Sequence, residues 1–224
     1  MPRPERLVVV TGSGTEIGKT WATLEITRRL RADGLSVAAR KPAQSFSPED
    51  ADTDASLLGA ATATNPGMVC PAHRWYPMPL APPMAADALG RPVIALDDLV
   101  AEIQWPDSVD VGFLEGAGGL CSPIAHDGDS LALIDRVQPD LVLFLAQPSL
   151  GVVSATRLAS RALGATPLLV LLNRYDAADE VHRRSRDWLT SVDSLAVVTS
   201  TTAAAAAIRA SNRRAPGEGV GCPL

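Results

Sequence analysis

Aromatic residues are scarce in this chain of 224 residues, at 4% of the total. The core must therefore be built mainly from Val, Leu, Ile and Ala. Cysteine is also rare. Cys70, Cys121 and Cys222 lie far apart and make no metal-ligand spacing. An odd, scattered set of this kind suits a reducing cytoplasm, which is the expected location. No apolar run approaches the ~20 residues of a membrane span. The chain lacks a basic cluster, and its net charge is −5. Both facts argue against nucleic acid or an anionic membrane as a partner. Arg183-Arg184 and Arg213-Arg214 are isolated pairs and read as solvated surface. His73, His126 and His182 sit in polar or irregular surroundings and read as surface residues, with no Ser/His/Asp or Cys/His constellation around them. An apolar strand follows a few polar residues at the start, so no signal peptide is expected.

What remains is ordinary globular composition, 46% hydrophobic and 20% charged. The length suffices for one large domain with a full core. Residues 1–224 read as a single domain without internal repeats. Residues 201–224 are expected to give one short helix, at Ala203–Ala207, and a mobile tail.

The most informative stretch is Thr11-Gly12-Ser13-Gly14-Thr15-Glu16-Ile17-Gly18-Lys19-Thr20. It follows the apolar run Leu7–Val10 and precedes a helical pattern. A glycine-rich turn between a parallel strand and a helix lets the backbone curl around an anion, with the helix's first N–H groups pointing at phosphate. Gly14, Thr15, Glu16, Ile17, Gly18, Lys19 and Thr20 are therefore candidate nucleotide-binding residues. Lys19 would reach the outer phosphates, and the Thr20 hydroxyl would hold Mg²⁺. The usual phosphate loop has four residues between its glycines. Here five separate Gly12 from Gly18, and Ser13 stands where the first glycine is expected.

Apolar runs alternate with helical patterns along the rest of the chain. Strands are expected at Leu7–Thr11, Ser36–Lys41, Val111–Glu115, Leu141–Ala146, Leu168–Asn173 and Leu195–Val198. Helices are expected at about 20–31, 54–63, 97–103, 130–137 and 152–163, with helix-forming residues up to Leu189. The first helix would bury Trp21, Leu24, Ile26 and Leu30. Asp52 or Thr53 would cap the second. The proline-rich segment from Cys70 to Pro83 reads as a long loop. Repeated strand–helix–strand units with unbroken apolar strands predict an α/β, three-layer, doubly wound and mostly parallel sheet with helices on both faces. Ligands in such folds bind at the carboxyl ends of the strands. Lys19, Lys41, Glu115 and Asn173 all fall at or just past such ends.

Several residues there have the chemistry of a phosphoryl-transfer site. Lys41 would add a second positive charge beside the phosphate. Asp54 and Glu115 are hard oxygen donors of the kind Mg²⁺ takes. Glu115 closes the strand Val111–Leu114 and precedes Gly116-Ala117-Gly118-Gly119, so Gly116 and Gly118 join the nucleotide-binding set. Asp50, Asp52 and Asp54 cluster, and each is also a candidate helix cap; Glu16 either approaches the metal or ties the loop. Asn173-Arg174-Tyr175-Asp176 resembles the Asn-Lys-x-Asp element that reads guanine in GTPases. Its Asn173 amide is a candidate base contact, although it leaves the base preference open.

These pieces together resemble the dethiobiotin synthetase family of the P-loop NTPase superfamily. The residues that carry the resemblance are the long phosphate loop with its internal Thr15-Glu16, then Lys41-Pro42-Ala43-Gln44-Ser45, Asp54, the proline-rich Tyr76–Pro82, and Glu115-Gly116-Ala117-Gly118-Gly119. The resemblance covers about residues 7 to 175. It implies an ATP-dependent cyclo-ligase of biotin biosynthesis. That family's substrate is 7,8-diaminononanoate, which takes up CO₂ as a carbamate and is closed into a cyclic urea after carbamate phosphorylation. ATP would be co-substrate and Mg²⁺ the cofactor, with Thr20, Asp54 and Glu115 as its ligands. Lys19, Lys41 and Thr15 would be catalytic. Thr15, Lys41, Ser45, Gly118 and the helix start at Gly151, Val152 and Val153 would bind substrate, the last three across a homodimer interface. Two departures stand out. Phe46 replaces a glycine, and Gly151-Val152-Val153-Ser154-Ala155 lacks the family's Asn-His pair. A diverged paralogue acting on another amine or carboxylate, and a regulatory nucleotide-binding NTPase, remain the alternatives.

Overall fold

A computed structural model describes residues 2–211. In chain order the elements are β1 (Arg6–Gly12), α1 (Lys19–Ala32), β2 (Val37–Arg40), β3 (Gln44–Ser45), α2 (Asp54–Thr62), α3 (Pro66–Val69), β4 (Trp75–Tyr76), α4 (Pro82–Ala88) and α5 (Leu96–Glu102). They continue with β5 (Val111–Glu115), β6 (Pro123–Ala125), β7 (Gly128–Asp129), α6 (Ser130–Val137), β8 (Leu141–Ala146), α7 (Val152–Leu163), β9 (Leu168–Leu172), α8 (Glu180–Ser191), β10 (Ala196–Val198) and α9 (Thr201–Ala210). Six strands form one sheet in the order β10-β9-β8-β1-β5-β2, and every pairing in it is parallel.

Alternation along the strands sets the three layers. In β1, Leu7 and Val9 face one core, while Val8 and Val10 face the other. In β8, Val142 and Phe144 divide from Leu141, Leu143 and Leu145 in the same way. One core is closed by α1, α2 and α9, and the other by α4 to α8. Full burial of each such aliphatic side chain contributes about 1.5–3 kcal/mol. The expected doubly wound α/β sheet is what forms.

Most expected elements appear within a residue or two of their predicted ends. Thr53 caps α2, with its hydroxyl accepting from Ser56 N at 3.2 Å. The loop expected at residues 70–83 is more ordered than that. It holds a 3-10 turn at Ala72–Arg74 and the strand β4, which pairs with β3. Pro66 and Pro82 open helices instead of breaking them, because the first helical turn needs no intrahelical N–H bond there. Trp21 is not part of the buried face of α1 and is 53% exposed. That face is Lys19, Ala22, Thr23, Ile26, Thr27 and Leu30, and Leu24 is half-buried. His126 is exposed and His182 half-buried, and both rings are engaged. Their Nδ1 atoms accept from Ile94 N at 2.9 Å and Asp176 N at 3.0 Å. A helix does follow residue 200, as α9. The expected mobile tail and Cys222 fall outside the described residues.

The loop from β1 to α1 is seated by contacts at both ends. Ser13 N donates to Leu145 O at 2.9 Å, and Leu120 N donates to Gly12 O at 3.0 Å. A Cβ on Gly12 would lie 2.2 Å from Ile17 Cδ1 and 2.4 Å from the Leu145 carbonyl oxygen. The second neighbour is backbone and cannot rotate away. Gly12→Ala should therefore destabilise the fold by about 1–3 kcal/mol in urea unfolding. An unchanged midpoint would show that the loop is not packed this closely.

Candidate active site

The carboxyl ends of β1, β2 and β5 bring the site together. Lys19 begins α1, directly after a loop with two left-handed residues, Glu16 at φ 56° and Gly18 at φ 87°. Its ammonium donates to Gly14 O at 2.7 Å, so the side chain folds back over the loop. Lys41 follows β2 and is held by its own N–H, which donates to Val69 O at 2.8 Å. Its side chain is 3% exposed. Glu115, the last residue of β5, is fully buried.

Four side chains converge at this point. Lys41 Nζ lies 2.8 Å from Asp54 Oδ2 and 2.9 Å from Glu115 Oε1. The Thr20 hydroxyl lies 2.8 Å from Asp54 Oδ1 and 2.7 Å from Glu115 Oε1. Thr23, one turn beyond Lys19, adds a hydroxyl 3.1 Å from Glu115 Oε2. Gln44 Oε1 accepts from Ala55 N at 2.9 Å and so fixes the start of α2, where Asp54 sits.

The electrostatics follow from burial and pairing. Burial works against a charged Lys41, but Glu115 and Asp54 outweigh it and hold its pKa above the ordinary lysine value. Burial also works against ionised Asp54, and Lys41 beside it prevails, so that carboxyl lies below its usual range. Lys19 has no such partner at contact distance. Burial, and then repulsion from Lys41, lower it to about 8, with Glu115 and Asp54 opposing.

These groups open onto a cavity of about 610 Å³. Thr15, Glu16, Gly18, Lys19, Thr20, Lys41, Ser45, Asp54, Gly116 and Gly118 line it, so most of the expected residues share one space. Gly151, Val152 and Val153 do not line it; they form the start of α7, with Gly151 at φ 95°. Asn173 is buried, and its amide donates to Ile17 O at 2.8 Å. The cavity wall also includes Trp21, Phe46, Ser47, Asp50, Pro79 and Leu80. None of these was singled out as a site residue. Phe46 packs edge-on against Trp75, with ring centroids 6.3 Å apart. Thr23 was not singled out either, although it shares a helix face with Lys19 four residues earlier.

The metal expectation can be tested against the donors present. Among the described residues no group of three or more His, Cys, Asp or Glu side chains gathers as a metal cage. Mg²⁺ does not need one, because it takes one or two carboxylates with phosphate and water. Two carboxylates and a hydroxyl in mutual contact are a hard-oxygen set of that kind, and the residues fit the ion.

A glycine-rich loop joining the first parallel strand to a helix, with a buried lysine and a half-buried threonine at its end, defines a P-loop NTPase. A family model described as "AAA domain" matches residues 6–206. A solved plasmid partition protein from Borrelia burgdorferi superposes with a TM-score of 0.54 at 10% identity, covering 92% of this chain and 96% of that one. That likeness shows the fold alone. ATP-dependent dethiobiotin synthetase from Rhodococcus erythropolis is 33% identical over 191 residues, covering 83% of both chains. The enzyme of the same name from Methylobacterium nodulans is 39% identical over 157 residues, covering 65% of this chain and 69% of its own. The chain belongs to the ATP-dependent dethiobiotin synthetase family.

The position of Lys19 has a consequence for anion binding. In the free protein its amine loses a proton as pH rises through about 8. A triphosphate favours the charged amine, so binding above that pH takes up a proton. Titration calorimetry at about pH 9, in buffers of different ionisation enthalpy, should show uptake approaching one proton, falling towards none at about pH 6.5. No uptake at the higher pH would place Lys19 away from the bound anion.

Proposed function

We propose that this chain closes a cyclic urea from a diamine, CO₂ and ATP, with 7,8-diaminononanoate as the diamine. One amine adds to CO₂ and loses a proton, giving a carbamate. A carbamate oxygen attacks the γ-phosphorus and ADP leaves, which produces a mixed carbamic–phosphoric anhydride. The second amine attacks the carbamate carbon, inorganic phosphate departs and a proton is lost. The convergence of Lys19, Lys41, Thr15, Ser45 and Gly118 on one cavity carries this reading.

The chemistry asks two anions, carbamate and γ-phosphate, to approach each other. Lys19 and Lys41 would lower that repulsion and hold the pair in reacting geometry. The Thr15 and Ser45 hydroxyls would donate to carbamate or phosphate oxygens. Backbone N–H groups of residues 14–20 would cradle the phosphates, with Gly116 and Gly118 lining the same cavity. Thr20, Asp54 and Glu115 would hold Mg²⁺, which supplies positive charge to the phosphate oxygens when bound. Asn173 would stand at the base end. Gly151, Val152 and Val153 would meet the substrate from the partner subunit of a homodimer. Leu150, 90% exposed just before this helix start, would be covered by such an interface. The proposed setting is the cytoplasm, where ATP is supplied.

One observation favours a second reading, a paralogue acting on another amine. Phe46 occupies the cavity wall with Leu80 and Pro79 and restricts the shape of what enters.

Phosphate release from ATP, Mg²⁺, bicarbonate and diaminononanoate tests the proposal. Release should depend on the diamine. Lys19→Ala should abolish it, and Lys41→Ala should lower kcat by roughly a hundredfold or more. Hydrolysis indifferent to the diamine would instead mark a regulatory NTPase, and full activity in Lys41→Ala would refute its role.

A further inference from the structure

Asn173 does something its place after β9 does not announce. It is 6% exposed and lies 156 positions from the loop residue it touches. Its Nδ2 donates to Ile17 O at 2.8 Å, in the middle of the phosphate loop. Its own N–H donates to Ala146 O, at the end of β8, at 2.9 Å. Ser13 N donates to Leu145 O, the neighbouring carbonyl of that strand. The loop's first residue and its middle are thus both referenced to the end of β8.

The Ile17 carbonyl matters because a trans peptide is planar. Its C=O and the following N–H point in opposite directions. A carbonyl fixed on Asn173 therefore turns the Gly18 N–H away from Asn173. Gly18 lines the cavity, and its N–H donates to no carbonyl among the described residues. Gly18 also permits the tie. A Cβ there would lie 2.5 Å from Asn173 Nδ2, and φ is +87°. Ile17 cannot swing freely to offer another carbonyl orientation, because its side chain is buried against Gly12.

We infer that Asn173 is a positioning residue for the phosphate loop, holding the Ile17–Gly18 peptide so that the Gly18 N–H faces an incoming phosphate before any nucleotide arrives. This rests on the reading of the loop as a triphosphate site. It goes beyond contact with the base, because it acts on ligands that have no base. Asn173 Oδ1 accepts nothing among the described residues, so the two roles use different atoms.

Inorganic tripolyphosphate separates the roles. Calorimetric binding of ATP and of tripolyphosphate is compared in the wild type, in Asn173→Ala and in Asn173→Leu, which removes the donor while keeping the bulk. Loss of a buried hydrogen bond that orients the cradle should weaken both ligands alike, by about tenfold. Hydrogen exchange of the ligand-free variants, followed at residues 14–18, should be faster than in the wild type. Weaker ATP binding with unchanged tripolyphosphate binding and unchanged exchange would overturn the inference and leave Asn173 as a base contact only. A wild type that binds neither ligand would remove the reading of the loop itself, and the inference with it. Should either variant fail to fold, the other and the exchange measurement still decide.

Discussion

The buried contact between Lys41 and Glu115 is the interaction around which this site is organised. Neither group is tolerable alone in an interior that excludes water. Glu115 ends the interior strand β5 and cannot retreat to solvent, and Lys41 follows the edge strand β2, which pairs directly with β5. The sheet itself therefore sets the ion pair. Asp54 and the Thr20 hydroxyl complete it from two helices on the same face, α2 and α1. The result is one ammonium, two carboxylates and a hydroxyl sharing a few oxygens at hydrogen-bond distance. Such a cluster fixes geometry more than it adds stability, since desolvation offsets much of the Coulombic gain.

The two lysines are not equivalent. Lys41 is neutralised by the acids at contact distance, while Lys19 has only a backbone carbonyl within hydrogen-bond reach, and burial and Lys41 lower its pKa to about 8. A site holding one satisfied cation and one unsatisfied cation is prepared for an anion. On the proposed reading, an arriving phosphate would meet Lys19 together with the amides of the loop, and it would compete with the acids for the Lys41 amine. A divalent ion added to the same oxygens would supply the charge that Lys41 then gives up. Lys41 thus neutralises these acids in the ligand-free protein, and the apolar sheet beneath them fixes their positions.

Much of this was legible in the residues. Unbroken apolar strands such as Leu141–Ala146 can only be buried on both faces, which makes the sheet parallel and covered. The placement of Lys19, Lys41 and Glu115 at strand ends then follows from topology. Side-chain contacts across long sequence separations were not legible. Nothing local tells that Thr23 reaches Glu115, or that the Asn173 amide is spent on Ile17 O. Trp21 fitted an apolar helical pattern, yet it lies beside a cavity, which no periodicity reports. Pro82 fell within the expected loop because proline at the first turn of a helix and proline in a loop are locally identical until the following residues pack.

Lys41 and Glu115 hold each other in place within the fold. A thermodynamic cycle of Lys41→Met, Glu115→Gln and the double variant, followed by urea unfolding at neutral pH, measures that directly. A coupling of about 2 kcal/mol or more is the predicted result, and one below about 0.5 kcal/mol would contradict it.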